Sequence, residues 1–355
     1  MAYGAIGPFP VVLNPLPHDP MNIYFSIVVP VYNRPEEIRE LLESLGKQDF
    51  EQDFEVVIVE DGSLEGSAEI VKGFQDRLQI SYYYKENSGP GDSRNFGMER
   101  AEGNYFIILD SDCILPPQYL REVEKELKRD PVHFFGGPDT ADASFTRVQK
   151  AINHVMTSML TTGGIRGRRN SVDRFQPRSF NMGISREAYE KVGGFGWIHP
   201  GEDPDLTFRI WKAGFDTRLF PEAFVYHKRR IDWGKFYIQV NKFGMVRPIL
   251  NRWHPGTAKL TYWFPTLFIL GLIGSITLVV LGIWLPLFAY AAYFLLLWLD
   301  AWQSNRDFKV AFLALFAALT QFYGYGWGFL MSTILLTFSK KDPEVLFPKL
   351  FFKKK

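Results

Sequence analysis

Cysteine is nearly absent: Cys113 is the only one in 355 residues. No intramolecular disulfide can form, and Cys-rich metal or dithiol redox chemistry has no material to work with. A reducing compartment fits this composition. The first twenty residues, MAYGAIGPFPVVLNPLPHDP, lack a basic n-region and contain five prolines. They read as an extended arm over residues 1–22, not as a secretory signal. No G-x-G-x-x-G follows the first apolar strand and no G-x-x-x-x-G-K-[ST] occurs, which removes the main support for a dinucleotide dehydrogenase or a P-loop enzyme. Internal repeats and low-complexity tracts are missing too.

Charge is missing over two long stretches, residues 260–299 and 310–338. A membrane span needs about 20 apolar residues. The first stretch is therefore long enough for two helices, with Gly282 and Pro286 marking the turn. The second suits one tilted helix, in which YGYGWG (323–328) is a kink or a packing site. The net charge of +1 hides an asymmetry: from residue 255 onward nine basic side chains face four acidic ones, leaving the preceding part at −4. Basic groups set around apolar segments suit phospholipid headgroups, not nucleic acid. Two to three transmembrane helices are expected over 259–339, then a basic tail over 340–355. Three full crossings would put that tail opposite the first 230 residues, whereas its lysines favour the cytoplasmic side. A re-entrant segment or an overridden charge rule would each resolve the conflict. Ahead of the spans, residues 232–258 set Trp233, Phe236, Tyr237, Val240 and Phe243 at three- and four-residue spacing among Lys235, Lys242, Arg247 and Arg252. That pattern suits a helix in the membrane interface, or one packed on the soluble part.

The first 230 residues alternate apolar strands with helices. FSIVVPVYN (25–33), FEVVIVEDGS (54–63), ISYYYKEN (80–87) and NYFIILDSD (104–112) read as strands. Helices are expected from Pro35 to about Lys47, over 64–77, and from near Gly91. This order predicts an α/β fold with parallel pairing and right-handed crossovers, and ligands beyond the carboxyl ends of the strands. Tyr32, Asn33 and Arg34, then Glu60 to Ser63, NSGPGDSRNFG (87–97), and Asp110-Ser111-Asp112 all fall there. Gly89 and Gly91 let backbone N–H groups approach an anion at a helix start, and Arg94 offers a permanent charge suited to phosphate. Asp110 and Asp112 are either turn residues or donors to a hard cation such as Mg²⁺ or Mn²⁺. Glu202, Asp203 and Asp205 open a helix, where they complement its dipole or supply a general base. His227, in FVYHKRR, is a surface histidine or a metal ligand, and the arginines after it suit a diphosphate.

VVPVYN, VEDGS, NSGPGDSRNFG, LDSD, FNMGISREAYEKVGGF, GEDPDLTFR and YHKRR follow one another over about residues 24–230. As a set they resemble family 2 glycosyltransferases of the GT-A fold. The resemblance implies a nucleotide-diphospho-sugar transferase domain with a Rossmann-like mixed sheet over 23–231. It further implies inverting, hexosyltransferase-type transfer from a UDP- or GDP-sugar with Mn²⁺ or Mg²⁺. By match, Pro30, Tyr32, Asn33 and Asp61 would hold the base, and Asn87, Gly91 and Arg94 would line the ribose and diphosphate. Asp110 would lie near ribose and metal, Asp112 would be the principal metal ligand, and His227 a further one. Arg229 would stabilise the leaving diphosphate. Asp203, beside Glu202, would take the proton from the acceptor hydroxyl. Trp197 and Asn181, with Arg178, are the candidates for contacts to the acceptor.

Processive members carry Q-x-x-R-W near the membrane. Gln239-Val240-Asn241-Lys242-Phe243 departs from it at both key positions, which points to addition of a single sugar. The expected protein is a multi-pass cytoplasmic-membrane transferase with its catalytic domain in the cytoplasm. It would act on a lipid-linked or saccharide acceptor in cell-envelope polysaccharide synthesis, with no nucleic-acid partner. A metal-dependent nucleotidyltransferase would share the nucleotide rim but leaves the GED and FNMG segments unexplained. A non-catalytic nucleotide-sugar-binding membrane protein is opposed by the presence of Asp112, Asp203 and His227.

Overall fold

A computed structural model of the chain describes residues 23–140, 145–163, 174–227 and 232–352. The arm expected over 1–22, Arg229 and the side chain of His227 lie outside the described residues. The strands are β1 (Phe25–Val31), β2 (Glu55–Asp61), β3 (Gln79–Lys85), β4 (Tyr105–Leu109), β5 (Cys113–Ile114), β6 (Phe134–Gly136), β7 (Asp139–Thr140), β8 (Asn181–Ser185), β9 (Thr217–Leu219) and β10 (Val225–His227). One mixed sheet runs β3-β2-β1-β4-β8-β6-β9, and a small second sheet runs β5-β10-β7. Strands β1 to β4 pair in parallel, whereas β8 is antiparallel to both β4 and β6.

The helices of this part are α1 (Pro35–Leu45), α2 (Ala68–Lys72), α3 (Pro90–Arg100), α4 (Tyr119–Arg129), α5 (Arg147–Thr157), α6 (Met159–Thr162), α7 (Arg186–Val192) and α8 (Glu202–Lys212). The central strands are apolar on both faces because helices cover both. Ile27, Val29, Val56, Ile58 and Ile107 pack with Leu41 and Leu42 of α1 and Leu120 and Val123 of α4. Val28, Val57, Val59, Phe106 and Ile108 pack with Met98 of α3 and Leu206 and Ile210 of α8. Helix α1 starts on Pro35 with Glu36 and Glu37 in its first turn, as an N-terminus prefers. Helix α3 lies so close to the sheet that a side chain at Gly97 would run into Val28.

Two expected elements are shorter than their sequence pattern. The helix expected over 64–77 is confined to α2. The strand expected to reach Asp112 stops at Leu109. There the Cys113 N–H donates to the Asp110 carbonyl at 3.1 Å, and this turn redirects the chain into β5.

The C-terminal part comprises α9 (Trp233–Trp253), α10 (Phe264–Val280), α11 (Leu285–Asn305), α12 (Phe308–Phe338) and α13 (Pro343–Leu346). Three segments are long and apolar enough to cross a membrane: Leu260–Val280, Leu285–Asn305 and Phe308–Phe338. Helix α9 packs along α12, and Gly244, Gly324 and Gly328 leave no room for a Cβ at the crossing. YGYGWG is thus a packing face within an unbroken helix. Both ends of α12 are tied to the α/β part. At its start, Arg147 Nε of α5 meets Asp307 Oδ2 at 2.8 Å, and on α11 Asp300 Oδ2 accepts from Ser158 Oγ at 2.7 Å. Near its end, Leu336 packs on the cluster that includes Ile198 and Phe208, while Ser332 Oγ donates to the Met245 carbonyl of α9 at 2.7 Å. The tail then folds back: the His199 N–H donates to the Leu350 carbonyl at 2.7 Å and the Phe352 N–H to the Trp197 carbonyl at 3.1 Å. Phe347 and Leu350 are buried against Ile198, Phe208, Ile249 and Leu250.

Candidate active site

The end of β2 organises the first wall. Asp61 Oδ1 accepts from Lys85 Nζ at 2.6 Å and from the Ser88 N–H at 3.0 Å, and Oδ2 accepts from the Gly89 N–H at 2.9 Å. Asn87 Nδ2 donates to the Asp61 carbonyl at 2.9 Å. Asp61 and Asn87 therefore shape the loop that opens α3, whose N-cap Gly89 has φ +97°, a conformation that favours glycine. Gly91 follows in the first turn, facing the Gly196 carbonyl and Phe195. At the end of β1, Asn33 adopts φ +51° and accepts from the Leu64 and Glu65 N–H groups at 2.8 and 3.3 Å. Its side chain joins the loops after β1 and β2. Pro30 lies in β1 beside Val59. Tyr32 leaves its ring 53% exposed beside this wall.

The Asp110 turn sends its two aspartates to different partners. Asp110 Oδ1 accepts from Arg94 Nη2 at 2.9 Å, and Asp112 is ion-paired with Arg34. The antiparallel register sets the His227 backbone opposite Cys113, next to Asp112. Among the described residues no three His, Cys, Asp or Glu side chains gather to hold a metal. The carboxylate available there is that of Asp112, with the His227 backbone one register position away. Few protein donors of hard type suit a divalent cation that completes its shell with substrate phosphate oxygens, so these residues fit Mn²⁺ or Mg²⁺.

Arg94 is placed otherwise than expected. It is 3% exposed and spans from Asp110 to Glu202, with Nη1 at 3.4 Å from Glu202 Oε1 and Cζ 5.2 Å from the Phe195 ring centroid. Two carboxylates hold it inside the protein, so it links the β4 turn to the start of α8 instead of presenting its charge to a diphosphate.

The three acids that open α8 have three roles. Asp205 Oδ1 lies 2.8 Å from His254 Nε2, and its Oδ2 lies 2.9 Å from Arg209 Nη2, tying α8 to the end of α9. Glu202 Oε1 lies 2.9 Å from His199 Nδ1. Burial opposes its ionisation, but His199 and Arg94 outweigh burial and draw its carboxyl down to about 2. Asp203 goes the other way. Burial, and then the Glu202 charge, push it up to about 6 against the pull of Arg94 and Arg178. Its Oδ2 accepts from the Ser179 N–H at 3.2 Å, while Oδ1 is enclosed with no hydrogen-bond partner among the described residues. A carboxylate poised near neutrality with a vacant oxygen has what a general base requires.

Asn181, expected at the acceptor, is instead fully buried. Its Oδ1 accepts from the Tyr119 hydroxyl at 2.6 Å and its Nδ2 donates to the Ala223 carbonyl at 2.8 Å. Its amide joins β8 to α4 and the segment before β10, closed off from solvent. Trp197 is partly buried on the loop before α8, where its carbonyl holds the C-terminal tail. Sequence reasoning had no role for Lys85, His199 or the tail. Lys85 carries the faint signal of a cation at the end of a strand whose neighbour ends in an acid, while the tail carries none.

The sequence profile described as "Glycosyl transferase family 2" matches residues 26–193. The poly(ribitol-phosphate) beta-N-acetylglucosaminyltransferase TarS of Staphylococcus aureus is 39% identical over 101 residues, which is 28% of this chain and 18% of that protein. Chondroitin synthase of Escherichia coli is 28% identical over 235 residues, 57% of this chain and 34% of that protein. The chain thus spans about a fifth to a third of these relatives. Among solved structures, a mannosyltransferase from Pyrobaculum calidifontis, in complex with GDP-Man and Mn²⁺, superposes with a TM-score of 0.53. It is 19% identical, over 94% of this chain and 91% of that one. The mixed sheet, the polar rim at its strand ends and these matches agree: the chain carries a glycosyl transferase family 2 domain of GT-A fold, followed by a helical C-terminal region.

Proposed function

We propose that the protein moves one sugar from a nucleotide-diphosphate donor to an acceptor hydroxyl with inversion, at a membrane. The observation that carries this reading is the division of labour between Glu202 and Asp203. Inversion is a single displacement and needs one base. Glu202 is engaged by His199 and Arg94, whereas Asp203 has a raised pKa and a vacant Oδ1. In this mechanism Asp203 takes the acceptor proton as the hydroxyl oxygen attacks the anomeric carbon and the nucleoside diphosphate departs. Tyr32 offers a face for the donor base, and the α3 N-terminus its positive end for the diphosphate. A divalent cation on Asp112 and His227 would neutralise charge on the leaving diphosphate. Arg229, in the basic run after β10, would add to that neutralisation.

The acceptor in this reading is lipid-linked, since the hairpin of α10 and α11 exposes Leu270, Ile273, Ile276, Val280, Leu285 and Phe288. Helix α12 is about 46 Å long at 1.5 Å per residue, and both its ends meet the catalytic side. It would therefore lie along the membrane face while the α10–α11 hairpin inserts. The catalytic domain and basic tail then share the cytoplasmic face, as the lysines favour. Purified protein with Mn²⁺, a panel of radiolabelled UDP- and GDP-sugars and bacterial lipid extract should transfer label and release a nucleoside diphosphate. Asp203→Asn should abolish transfer, and Asp112→Asn should lower it at limiting Mn²⁺. Pyrophosphate release, or full activity in Asp203→Asn, would overturn the assignment.

A further inference from the structure

The N-terminus of α3, whose positive end suits a diphosphate, is covered from two sides. Over Gly91 stand Phe195 and Gly196: a side chain begun at Gly91 would meet the Gly196 carbonyl oxygen at 3.1 Å and Phe195 Cβ at 3.2 Å. Over Gly89, the N-cap whose N–H is bonded to Asp61, stands the ring of Phe352, so close that no Cβ fits between them. The two covers are fastened differently. Phe195 is clamped to α3 itself: Asn95 Oδ1 accepts from its N–H at 2.7 Å and Asn95 Nδ2 donates to its carbonyl at 2.9 Å. Arg94 Cζ lies 5.2 Å from its ring centroid. Phe352 comes from the C-terminal tail. Its N–H donates to the Trp197 carbonyl at 3.1 Å, and its ring centroid lies 5.8 Å from that of His199. Before it Phe351 bridges to Ile198, and the buried Leu350 and Phe347 root the tail on α8 and α9.

An anion docks on a helix start by reaching its backbone N–H groups, and an apolar ring laid over that start stands in the way. One of the two covers must therefore move before a diphosphate can settle there. Phe195 cannot leave without breaking both Asn95 bonds and uncovering Arg94, which two carboxylates hold inside the protein. Phe352 can leave by turning about Leu350. It then gives up its bond to Trp197 and its contacts with Gly89 and His199, while Phe347 and Leu350 stay buried. Segments with few buried contacts are the ones that open locally. We propose that Phe352 is a gate on the donor site: the tail beyond Leu350 covers the α3 N-terminus, and a nucleoside diphosphate docks there only after displacing it. Tail docking and donor binding then exclude one another, and the apparent nucleotide affinity falls with the fraction of molecules whose gate is open. The gate rests on the reading of the α3 wall as the donor's.

The full chain in phosphatidylcholine nanodiscs, titrated with UDP, GDP, CDP, ADP and dTDP in the presence of Mn²⁺, tests this. Wild type, Phe352→Ala and Phe352→Leu are compared, and hydrogen exchange is followed in the tail. Phe352→Ala keeps the main-chain bond but not the ring. It should bind nucleotide about tenfold more tightly and faster, the effect of removing a gate that is open about a tenth of the time. Phe352→Leu restores most of the cover and should fall between the two. In wild-type protein, saturating nucleotide should speed exchange at the Phe352 N–H and leave that of Leu350 slow. This arm decides should Phe352→Ala not fold. Weaker nucleotide binding in Phe352→Ala would make the ring a donor contact and overturn the gate. Nucleotide binding that is indifferent to Phe352, or tail exchange unmoved by nucleotide, would sink the gate alone. Failure of both wild type and Phe352→Ala to bind any of these nucleotides would sink the donor reading of the α3 wall, and the gate with it.

Discussion

Neutralising Asp203 should stabilise the protein in a pH-dependent way. Its carboxyl is raised from 3.8 to about 6, and each pKa unit corresponds to about 1.36 kcal/mol. Ionising Asp203 inside the fold therefore costs about 3 kcal/mol. For an acid whose folded pKa is raised, the cost is absent below about 3.8, grows between the two values and is complete above about 6. Glu202 behaves oppositely: drawn from 4.5 down to about 2, it adds stability above 4.5 that is lost as pH falls. Asp203→Asn removes the first charge and leaves the second. The variant should gain on the wild type by up to about 3 kcal/mol as pH rises from 4 to 7, read as a widening gap in thermal or urea denaturation.

The same group sets the acid limb of kcat/KM, which should rise through a midpoint near 6. Glu202→Gln takes away the second cause of the shift and keeps the first, burial. The limb should then move down, by roughly one unit for a neighbouring charge, and stay above 3.8. A stability gap that is flat from pH 4 to 7, or a limb that moves upward in Glu202→Gln, would refute the reasoning.

Asp112→Asn keeps the shape of the side chain but removes its negative charge and replaces one oxygen by an NH₂ group. It should lower transfer at limiting Mn²⁺ and raise the Mn²⁺ concentration needed for half-maximal activity by tenfold or more, while UDP or GDP binding measured without metal stays close to wild type. Placement of the tail is testable by labelling. In a Cys113→Ser background, Lys349→Cys and Glu65→Cys should react with an impermeant maleimide from the same face of sealed vesicles, and reaction from opposite faces would make α12 a true crossing.

The parts of the fold that were legible are those decided by local chemistry. IVVPV (27–31) and VVIV (56–59) are unbroken apolar runs because both faces of the sheet are covered, and they end in polar residues at the carboxyl ends of the strands. The parts that were not legible depend on partners far away in the chain. Arg94 and Glu202 are 108 positions apart, and nothing in NSGPGDSRNFG distinguishes an arginine aimed at phosphate from one enclosed between carboxylates. Asn181 misled for the same reason: an amide in a loop-to-strand transition looks available until Tyr119 and Ala223 close around it. The three acids of GEDPD read alike in sequence, and only His254, His199 and Arg94 separate a helix tie, a held anion and an acid with an unpartnered oxygen. The apolar stretch over 310–338 shows the limit of composition most clearly. A helix without charge suits lipid or protein equally, and what decides is the glycine face that receives α9. That face holds α12 against the catalytic side, so its far end delivers Phe347, Leu350 and Phe352 to the loop before Asp203. A segment that reads as membrane anchor thereby also builds a wall beside the loop that precedes Asp203.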